Sequence, residues 1–364
     1  MHIVQIVPEL NEGGVERGTL EFNREFVRRG LVSTVISRGG RLAPTIGKDG
    51  GRHLLHDVCS KNILTVPARM LGLRRLLAGL RPDIVHVRSR VPAWLVHFAN
   101  RSLHLPVVTT VHGFNRPNAY SRIMATGDRV ICVSQAVKAH IQRHYGTPDR
   151  VIRVIHRGLD PEAFDPQRLD ADRLRRYRSQ WGLDGRFVAV SAGRITELKD
   201  HETFIRAIAA ARHALPALLG LIVGGVREDK RAYFASLKKL AASLNVADAV
   251  VFTGSQPGMA EIYAAGHVVV SSSCQPESFG RTLIEALAME RPVIATRHGG
   301  AVEIVREGMN GMLFSPGDVS ELAAALLAVS RQSFQGLRED VLSRFSLDRM
   351  IDANLGVYGE LLNA

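Results

Sequence analysis

The sequence predicts an α/β protein of two doubly wound domains, each built around a parallel sheet. Short β-branched apolar runs alternate with amphipathic helical segments along the whole chain. Parallel strands that are covered by helices on both faces have this near-continuous apolar character. The 364 residues, 46% of them hydrophobic, suffice for two cores rather than one.

The first half of the chain supplies six of the predicted strands. They are residues 3–7, 32–37, 84–87, 107–111, 130–133 and 151–155, and helices are predicted at 16–29, 68–80, 93–103 and 136–145. Each strand run is short and rich in Val and Ile, whereas the helical segments repeat apolar residues every three or four positions. We expect this half to form a first domain, residues 1–168.

The second half repeats the scheme. Its predicted strands are residues 187–190, 219–223, 250–252, 268–270 and 293–295. A Gly-, Asp- and Pro-containing stretch at 158–166 predicts the linker, and a polar helix at 174–181 follows it. We expect a second domain over residues 169–345. An amphipathic helix is also predicted within 346–364.

Composition narrows the class of protein. No apolar run approaches the ~18 residues of a membrane span, and the first residues read as a buried strand without a basic leader. The three cysteines, Cys59, Cys132 and Cys274, lack any C-x-x-C spacing, so neither a disulfide framework nor a zinc site is indicated. We therefore expect a protein of the reducing cytoplasm.

The charge of the chain is one-sided. Residues 1–168 hold 25 Lys and Arg against 13 Asp and Glu, whereas residues 169–364 hold 22 of each. A basic field confined to one half predicts an anionic partner, although a merely soluble basic surface is the plain alternative. Aromatic residues make up only 6% of the chain, and the first half lacks the stacking platforms of a single-strand binder. We do not expect nucleic acid as the partner.

Two glutamates with seven residues between them flank a predicted helix start. Glu277 lies in the polar stretch after the run 268–270, and Glu285 lies inside the following helix. A helix N-terminus offers backbone N–H groups without intrahelical partners and the positive end of the helix dipole, so it favours a phosphate. Two carboxylates roughly 10 Å apart on either side of it suit an extended ligand such as a nucleotide sugar. An acidic residue near a helix start, together with a solvated helix face, is the ordinary alternative.

Three further motifs follow predicted strands, at the edge where open α/β sheets bind ligands. The paired glycines Gly13-Gly14 let a ligand approach the backbone, although a plain turn explains them equally. His112 can hydrogen-bond a sugar hydroxyl or carry a proton. Arg194 and Lys199 can clamp a diphosphate and offset its growing charge as it leaves, where the alternative is a solvated loop.

These residues, in this order and at these intervals, resemble glycosyltransferase family 4, whose members have the GT-B fold of two Rossmann-like domains facing across a cleft. The resemblance covers nearly the whole chain, and the Glu277–Glu285 block combined with Arg194 and Lys199 is its most specific part. It implies a retaining glycosyltransferase that uses a UDP-, GDP- or ADP-linked sugar without an obligatory metal or other cofactor. It also implies that the helix within 346–364 crosses back to the first domain. The stretches 14–21, 88–94 and 157–161 are also similar to bacterial enzymes that build lipopolysaccharide core or related surface glycans.

The resemblance also implies roles for matching positions. Glu277 would face the donor sugar, Glu285 would bind the ribose hydroxyls, Arg194 and Lys199 would neutralise the leaving diphosphate, and His112 would lie near the transferred sugar. We take Glu277, His112, Arg194 and Lys199 as the catalytic set. The donor-binding set comprises Gly13, Gly14, Arg194, Lys199, Gly254, Ser255, Glu277, Ser278, Phe279, Gly280, Arg281, Thr282 and Glu285. No side chain is an evident nucleophile, which favours front-face attack over a covalent intermediate.

The acceptor is expected at the first domain, where the excess charge lies. The arginines that follow predicted strand ends, and so form the expected acceptor site, are Arg88, Arg90, Arg116 and Arg122. A second group on a leucine-rich helix, Arg69, Arg74, Arg75 and Arg81, suits either an anionic membrane surface or a routine sheet-covering helix. We thus expect an anionic glycan or glycolipid acceptor and peripheral contact with the cytoplasmic face of the membrane.

Two other functions fit parts of the pattern. A sugar-nucleotide epimerase of the same fold binds a similar donor but needs no separate acceptor surface. A non-enzymatic binder of anionic polymer explains the basic half but leaves Arg194, Lys199, Glu277 and Glu285 without a purpose.

Overall fold

A computed structural model describes residues 1–11 and 13–363, and the chain divides into two compact units. The first unit is Met1–His156 with Leu347–Ala364, and the second is Arg157–Ser346. Each is an α/β unit with a parallel sheet, as the alternation of apolar runs predicts.

The described residues of the first unit form a seven-stranded sheet. Its strands are β1 (His2–Ile6), β2 (Val32–Ser37), β3 (Arg52–Leu55), β4 (Ile84–Val87), β5 (Val107–Val111), β6 (Arg129–Cys132) and β7 (Ile152–Val154). They pair in the order β3-β2-β1-β4-β5-β6-β7, and the register between β1 and β4 sets Gln5 beside His86. The central strands are almost wholly buried, whereas the edge strand β3 is half-exposed. That exposure is why β3 shows no apolar run and escapes prediction from the sequence.

Helices flank this sheet. They are α1 (Gly14–Arg28), α2 (Ala43–Lys48), α3 (Val66–Leu80), α4 (Arg90–Ala99), α5 (Ala119–Arg122) and α6 (Gln135–Tyr145). Ser134 caps α6 by accepting a hydrogen bond from the Val137 N–H at 3.1 Å, and Gly146 ends that helix with φ of 64°. Helix α4 begins three residues before the predicted start, because Pro92 falls in its first turn, where proline is tolerated.

The described residues of the second unit form a six-stranded sheet. Its strands are β8 (Phe187–Ala192), β9 (Leu218–Val223), β10 (Val250–Gly254), β11 (Val268–Ser271), β12 (Val293–Thr296) and β13 (Gly311–Phe314), in the order β10-β9-β8-β11-β12-β13. Its helices are α7 (Ala171–Gln180), α8 (His201–Ala211), α9 (Arg231–Ser243), α10 (Met259–Ala265), α11 (Arg281–Ala288), α12 (Ala301–Ile304), α13 (Val319–Arg331) and α14 (Leu337–Phe345). The strand missed from the sequence, β13, again lies at an edge.

The boundary between the units differs from the predicted one. The first unit ends at His156 rather than at residue 168, and the stretch after it packs on the second unit. The Leu159 N–H donates to the Phe345 carbonyl at 2.9 Å, and Arg338 donates to the Pro161 carbonyl at 2.9 Å. The turn-forming residues taken as a linker are therefore fixed to the second unit by a backbone hydrogen bond and by the side chain of Arg338.

The last helix, α15 (Leu347–Leu362), belongs to the first unit. Its apolar face joins a core cluster with residues of α1, β1 and β4. Within that cluster, the Tyr358 hydroxyl lies 2.6 Å from Nδ1 of His86, and Thr110 Oγ1 lies 2.6 Å from Nε2. Burial lowers the pKa of His86 well below its usual value, so the ring stays neutral and is satisfied by two hydroxyl groups.

The Tyr358 hydroxyl is expected to stabilise the first unit. Tyr358→Phe leaves a buried ring nitrogen of His86 without a partner, which costs about 1–3 kcal/mol of unfolding free energy. Urea unfolding of the full chain measures this loss. The matched control is Tyr120→Phe, because that side chain is 42% exposed. Equal unfolding midpoints for the two variants would contradict the assigned role.

Candidate active site

The sequence-predicted donor residues of the second unit lie at or close to one edge of its sheet. The loops after β8, β9, β10 and β11 all leave the carboxyl ends of parallel strands, where open α/β sheets bind ligands. They carry Arg194 and Lys199, the pair Gly224-Gly225, Gly254 and Ser255, and the segment 272–280, respectively.

Close backbone contacts hold these loops together. A Cβ on Gly224 would lie 1.8 Å from the Gly193 carbonyl oxygen, so only glycine permits this approach. The Gly224 N–H also donates to the Gly254 carbonyl at 3.0 Å, which joins the second loop to the third. The loop after β11 joins the first, because Ser272 Oγ donates to the Lys199 carbonyl at 2.9 Å.

Glu277 is the most constrained carboxylate of the site. Its Oε1 accepts hydrogen bonds from Lys199 Nζ, from Ser273 Oγ at 2.5 Å and from Ser271 Oγ at 3.4 Å. Within the described part of the chain, Oε2 has no partner. The carboxylate is therefore fixed through one oxygen and presents the other to a ligand.

The ion pair determines the protonation state of Glu277. Burial acts to raise the pKa of this carboxyl, but the charge of Lys199 and the hydrogen bonds from Lys199, Ser273 and Ser271 outweigh burial and hold the pKa below its usual value. Glu277 is consequently ionised at neutral pH, although only 20% of its side chain is exposed.

A second layer of contacts supports the Glu277 loop. The Gly300 N–H donates to the Glu277 carbonyl at 2.8 Å, and a Cβ on Gly299 would lie 2.4 Å from the same carbonyl oxygen. His298 Nε2 and Thr296 Oγ1 each lie 3.0 Å from the Ser273 carbonyl oxygen. The loop is thus held by the end of β12 as well as by Lys199.

Helix α11 begins between the two glutamates, as predicted. Its N-cap is Gly280, with φ of 108°, and no described side chain caps this end. Phe279 is 2% exposed and packs edge-to-face on Phe345, with ring centroids 5.5 Å apart. Ser278, Arg281 and Thr282 stay half-buried around the helix start. Such an end favours a phosphate group.

Glu285 lies one turn into this helix and is also oriented by its neighbours. Its Oε2 accepts a hydrogen bond from the Tyr263 hydroxyl at 3.0 Å, and its Oε1 lies 3.4 Å from Arg281 Nε. The side chain is 12% exposed. A carboxylate held in this way can accept further hydrogen bonds from two vicinal hydroxyl groups.

Arg194 completes the charged edge. It is exposed, and the described residues include no acidic partner for it. Lys199, by contrast, is committed to Glu277. The site therefore offers one uncommitted guanidinium, whose planar fork suits a phosphate.

Among the predicted residues of the first unit, Gly13 and Gly14 form the start of α1. Gly13 is the N-cap with φ of 140°, and a Cβ there would lie 2.4 Å from Glu16 Oε2. His112 directly follows β5 and is half-buried. All three lie at the carboxyl edge of the first sheet, as their positions after predicted strands imply.

The four predicted acceptor arginines do not share one environment. Arg90 donates to Ser121 Oγ at 3.2 Å and stacks 5.5 Å from the Tyr120 ring, which joins it to the short helix that carries Arg122. Arg116 and Arg122 are exposed.

Arg88 differs from the prediction, because its side chain turns into the unit. It is 4% exposed and lies 4.0 Å over the Phe22 ring, and burial lowers its pKa to about 10. The Phe22 ring of α1 and Tyr358 of α15 enclose it, and neither contact is visible from its position after β4. Arg88 therefore packs beneath α1 and is not an exposed acceptor contact.

Sequence reasoning missed several supporting residues. The run Ser271-Ser272-Ser273 directly after β11 is a signal that was available, because hydroxyl groups at a strand end can serve as donors. Tyr263 and His298 carry no such signal, since each reaches the site from a different part of the chain.

Comparisons with known proteins agree with this geometry. A family model described as Glycosyltransferase Family 4 matches residues 12–163, and one described as Glycosyl transferases group 1 matches residues 175–341. A D-inositol 3-phosphate glycosyltransferase of Acidothermus cellulolyticus is 33% identical over 96% of this chain and 86% of its own length. The chain belongs to glycosyltransferase family 4. It is a glycosyltransferase of GT-B fold, in agreement with the resemblance seen in the sequence.

Two further relatives show how far the similarity extends. A crystal structure of a glycosyltransferase from Rickettsia africae has 30% identity and a TM-score of 0.91, and the match covers 99% of this chain and 98% of that one. A GDP-mannose-dependent alpha-(1-6)-phosphatidylinositol monomannoside mannosyltransferase of Mycolicibacterium smegmatis is 29% identical over 71% of this chain. The match spans 64% of the length of that mannosyltransferase.

No group of three or more His, Cys, Asp and Glu side chains in residues 1–11 and 13–363 has metal-binding geometry. Within the same ranges, no helix has the length and apolar character needed to cross a bilayer.

Lys199→Met is expected to invert the pH dependence that Glu277 contributes to stability. In the wild type the folded pKa is depressed, so this contribution is fully present above the unfolded value of about 4.3 and is lost as the pH falls from there through the lower folded pKa. Without the cation, burial raises the folded pKa above the unfolded one. Stability then declines as the pH rises from about 4 to 7. Thermal unfolding of Lys199→Met and of the control Lys199→Arg across this pH range measures the difference in pH dependence. Parallel stability curves for the two variants would contradict the predicted inversion.

Proposed function

We propose that the protein is a retaining glycosyltransferase that moves a sugar from a nucleotide-diphosphate sugar to an anionic, lipid-linked or lipopolysaccharide-type glycan acceptor. The observation that carries the proposal is the ionised Glu277, held by Lys199 at the same strand-end edge as Arg194 and the start of α11. The proposal assigns one part of the donor to each of these groups.

The donor fits this edge by charge and by order along the chain. The diphosphate would be bound by the N–H groups at the start of α11 and by Arg194, which has no acidic partner among the described residues. The ribose would bind Glu285, and the base would lie beside Gly254 and Ser255. Glu277 Oε2 would accept a hydrogen bond from the sugar. The cations and the helix end supply positive charge for the diphosphate, so we propose that no metal is obligatory.

Retention is proposed to proceed by front-face attack. Glu277 Oε1 already accepts three hydrogen bonds, which lowers its power as a nucleophile and argues against a covalent intermediate. The same bonds fix the carboxylate beside the reacting centre. Lys199 and Arg194 would offset the charge that develops on the leaving diphosphate, which stabilises the transition state rather than the bound donor alone.

A donor screen tests this assignment. UDP-, GDP- and ADP-sugars are tested for thermal stabilisation, where a ligand at ~100 times its dissociation constant adds ~2.7 kcal/mol. Glu285→Ala should abolish the shift seen with the true donor, because the ribose contact is lost. Glu339→Gln, on the exposed face of α14, is the matched control.

The same screen separates the rival functions. A donor-induced thermal shift of unchanged size in Glu285→Ala would contradict the proposed contact between Glu285 and the ribose. Conversion of the donor sugar without transfer would identify an epimerase instead. Product NMR reports whether the anomeric configuration is retained, and parallel assays with EDTA report any metal requirement.

The acceptor is proposed to be anionic and to bind the first unit. Residues 1–168 carry the whole formal excess of positive charge. The names of the two curated relatives include a phosphate-bearing inositol and a phosphatidylinositol mannoside, both of which are anions. Arg90, Arg116 and Arg122 are exposed or half-buried and lie after strands of this unit. The free thiols of Cys59, Cys132 and Cys274 support our proposal of a cytoplasmic enzyme.

Neutralising two arginines is expected to weaken acceptor binding. Arg116→Gln/Arg122→Gln should raise KM for an anionic acceptor about tenfold, equivalent to ~1.4 kcal/mol, with kcat and the donor thermal shift unchanged. D-inositol 3-phosphate, phosphatidylinositol and truncated lipopolysaccharide form the acceptor panel. Arg143→Gln/Arg150→Gln removes the same charge from exposed positions elsewhere in the unit and is the control. Equal KM values for the two double variants would contradict acceptor binding at Arg116 and Arg122. They would leave the proposed donor site unaffected.

A further inference from the structure

An ordered turn of the first unit exposes two consecutive large apolar side chains. Ile63 and Leu64 are 81% and 89% exposed, the highest values among the exposed large apolar side chains of the described residues. They form a 3₁₀ turn, Ile63–Thr65, that leads directly into α3. Neither side chain has a role in the proposed glycosyl transfer.

The turn is held in place by a buried arginine. Arg69 is 7% exposed, and it donates to Thr65 Oγ1 at 2.9 Å and to the Asn62 carbonyl at 3.0 Å. Asn62 Oδ1 accepts from the Leu64 N–H at 3.0 Å. The sequence groups Arg69 with the cations of the leucine-rich helix. Because its side chain is buried, however, Arg69 is not one of the surface cations of α3. It fixes a turn whose two apolar side chains point into solvent.

The apolar surface continues along α3 and is flanked by cations. Leu73 and Leu77 face the core, whereas Leu71 is 44% exposed on the opposite side of the helix. Leu64, Ala68, Leu71 and Ala78 are all exposed and lie three, four or seven positions apart, so they form one outer stripe that begins in the turn before α3. Lys61, Arg74 and Arg75 flank it. The 25 residues from 58 to 82 contain five Lys and Arg and no Asp or Glu.

We propose that this surface, Lys61–Leu64 with the outer stripe of α3, inserts into the interfacial region of an anionic membrane. Apolar side chains beside lysine and arginine meet both requirements of such binding, because the former enter the acyl boundary and the latter attract anionic head groups. A turn that is fixed in advance loses little conformational freedom on insertion. The proposal goes beyond the glycosyl transfer, since it concerns residues outside the donor and acceptor sites.

A second copy of the chain fits this surface less well than a membrane. A two-fold contact would set Lys61, Arg74 and Arg75 of one copy near the same cations of the other, which is unfavourable. Three large exposed apolar side chains also provide less area than the ~800 Å² per partner of a stable protein interface. An anionic bilayer complements both the charge and the shape.

Vesicle co-sedimentation of the full chain tests the proposal. The wild type should bind vesicles of phosphatidylglycerol and phosphatidylcholine and not pure phosphatidylcholine. Ile63→Ser/Leu64→Ser should lower the partition coefficient at least about tenfold at low and at high salt. Arg74→Gln/Arg75→Gln should lower it about tenfold at low salt and less at high salt.

Matched controls come from the second unit. Val302→Ser/Met309→Ser removes two apolar side chains that are 45% and 63% exposed, and Lys238→Gln/Lys239→Gln removes two adjacent exposed cations of α9. Both should bind vesicles as the wild type does, and every variant should keep the donor-induced thermal shift.

Three results would overturn the proposal. The first is a wild type that stays in solution with anionic vesicles. The second is an Ile63/Leu64 variant that sediments as its control does. The third is self-association in ultracentrifugation that the Ile63/Leu64 change abolishes while vesicle binding is absent, which would assign the surface to a second copy.

Discussion

The ion pair between Lys199 and Glu277 joins two loops that are 78 positions apart in the sequence. One loop follows β8 and the other follows β11, and these strands are neighbours in the sheet. The pair keeps a poorly exposed carboxylate ionised, and the surrounding serines hold its Oε1. Glu277 is thereby fixed four residues before α11 begins. The buried face of α11 and Phe279 then hold the helix itself against the core.

The two units differ in how their charges are used. Around the start of α11, most charged groups have a partner, and Arg194 stands apart because the described residues offer it none. In the first unit the cations greatly outnumber the anions, and they serve unlike purposes. Arg69 and Arg88 are buried and act in packing and in fixing a turn, whereas Arg74, Arg75, Arg116 and Arg122 face solvent. Net charge alone therefore overstates the surface that is available to an anionic partner.

The sequence predicted the parts of the fold whose signal is local. Continuous apolar runs located the buried strands, and the Glu277–Glu285 spacing located the start of α11. The missed strands, β3 and β13, lie at sheet edges: β3 is half-exposed and begins with Arg and His, and β13 has only three consecutive apolar residues, Met312–Phe314. The burial of Arg88 could not be predicted, because it depends on Phe22 and on the return of α15. The contacts of Tyr263 and His298 arise only when distant segments meet, so no spacing records them.

The first unit is built from both ends of the chain, and its core contains Tyr358 beside His86. The whole of the second unit therefore separates two segments of the chain that share one core. Without α15, the first unit would expose the apolar surface that this helix covers, including Ile3, Phe26 and Ile84. Closing this core is thus a strongly non-local step of folding, because contacts between segments so distant in sequence are slow to form.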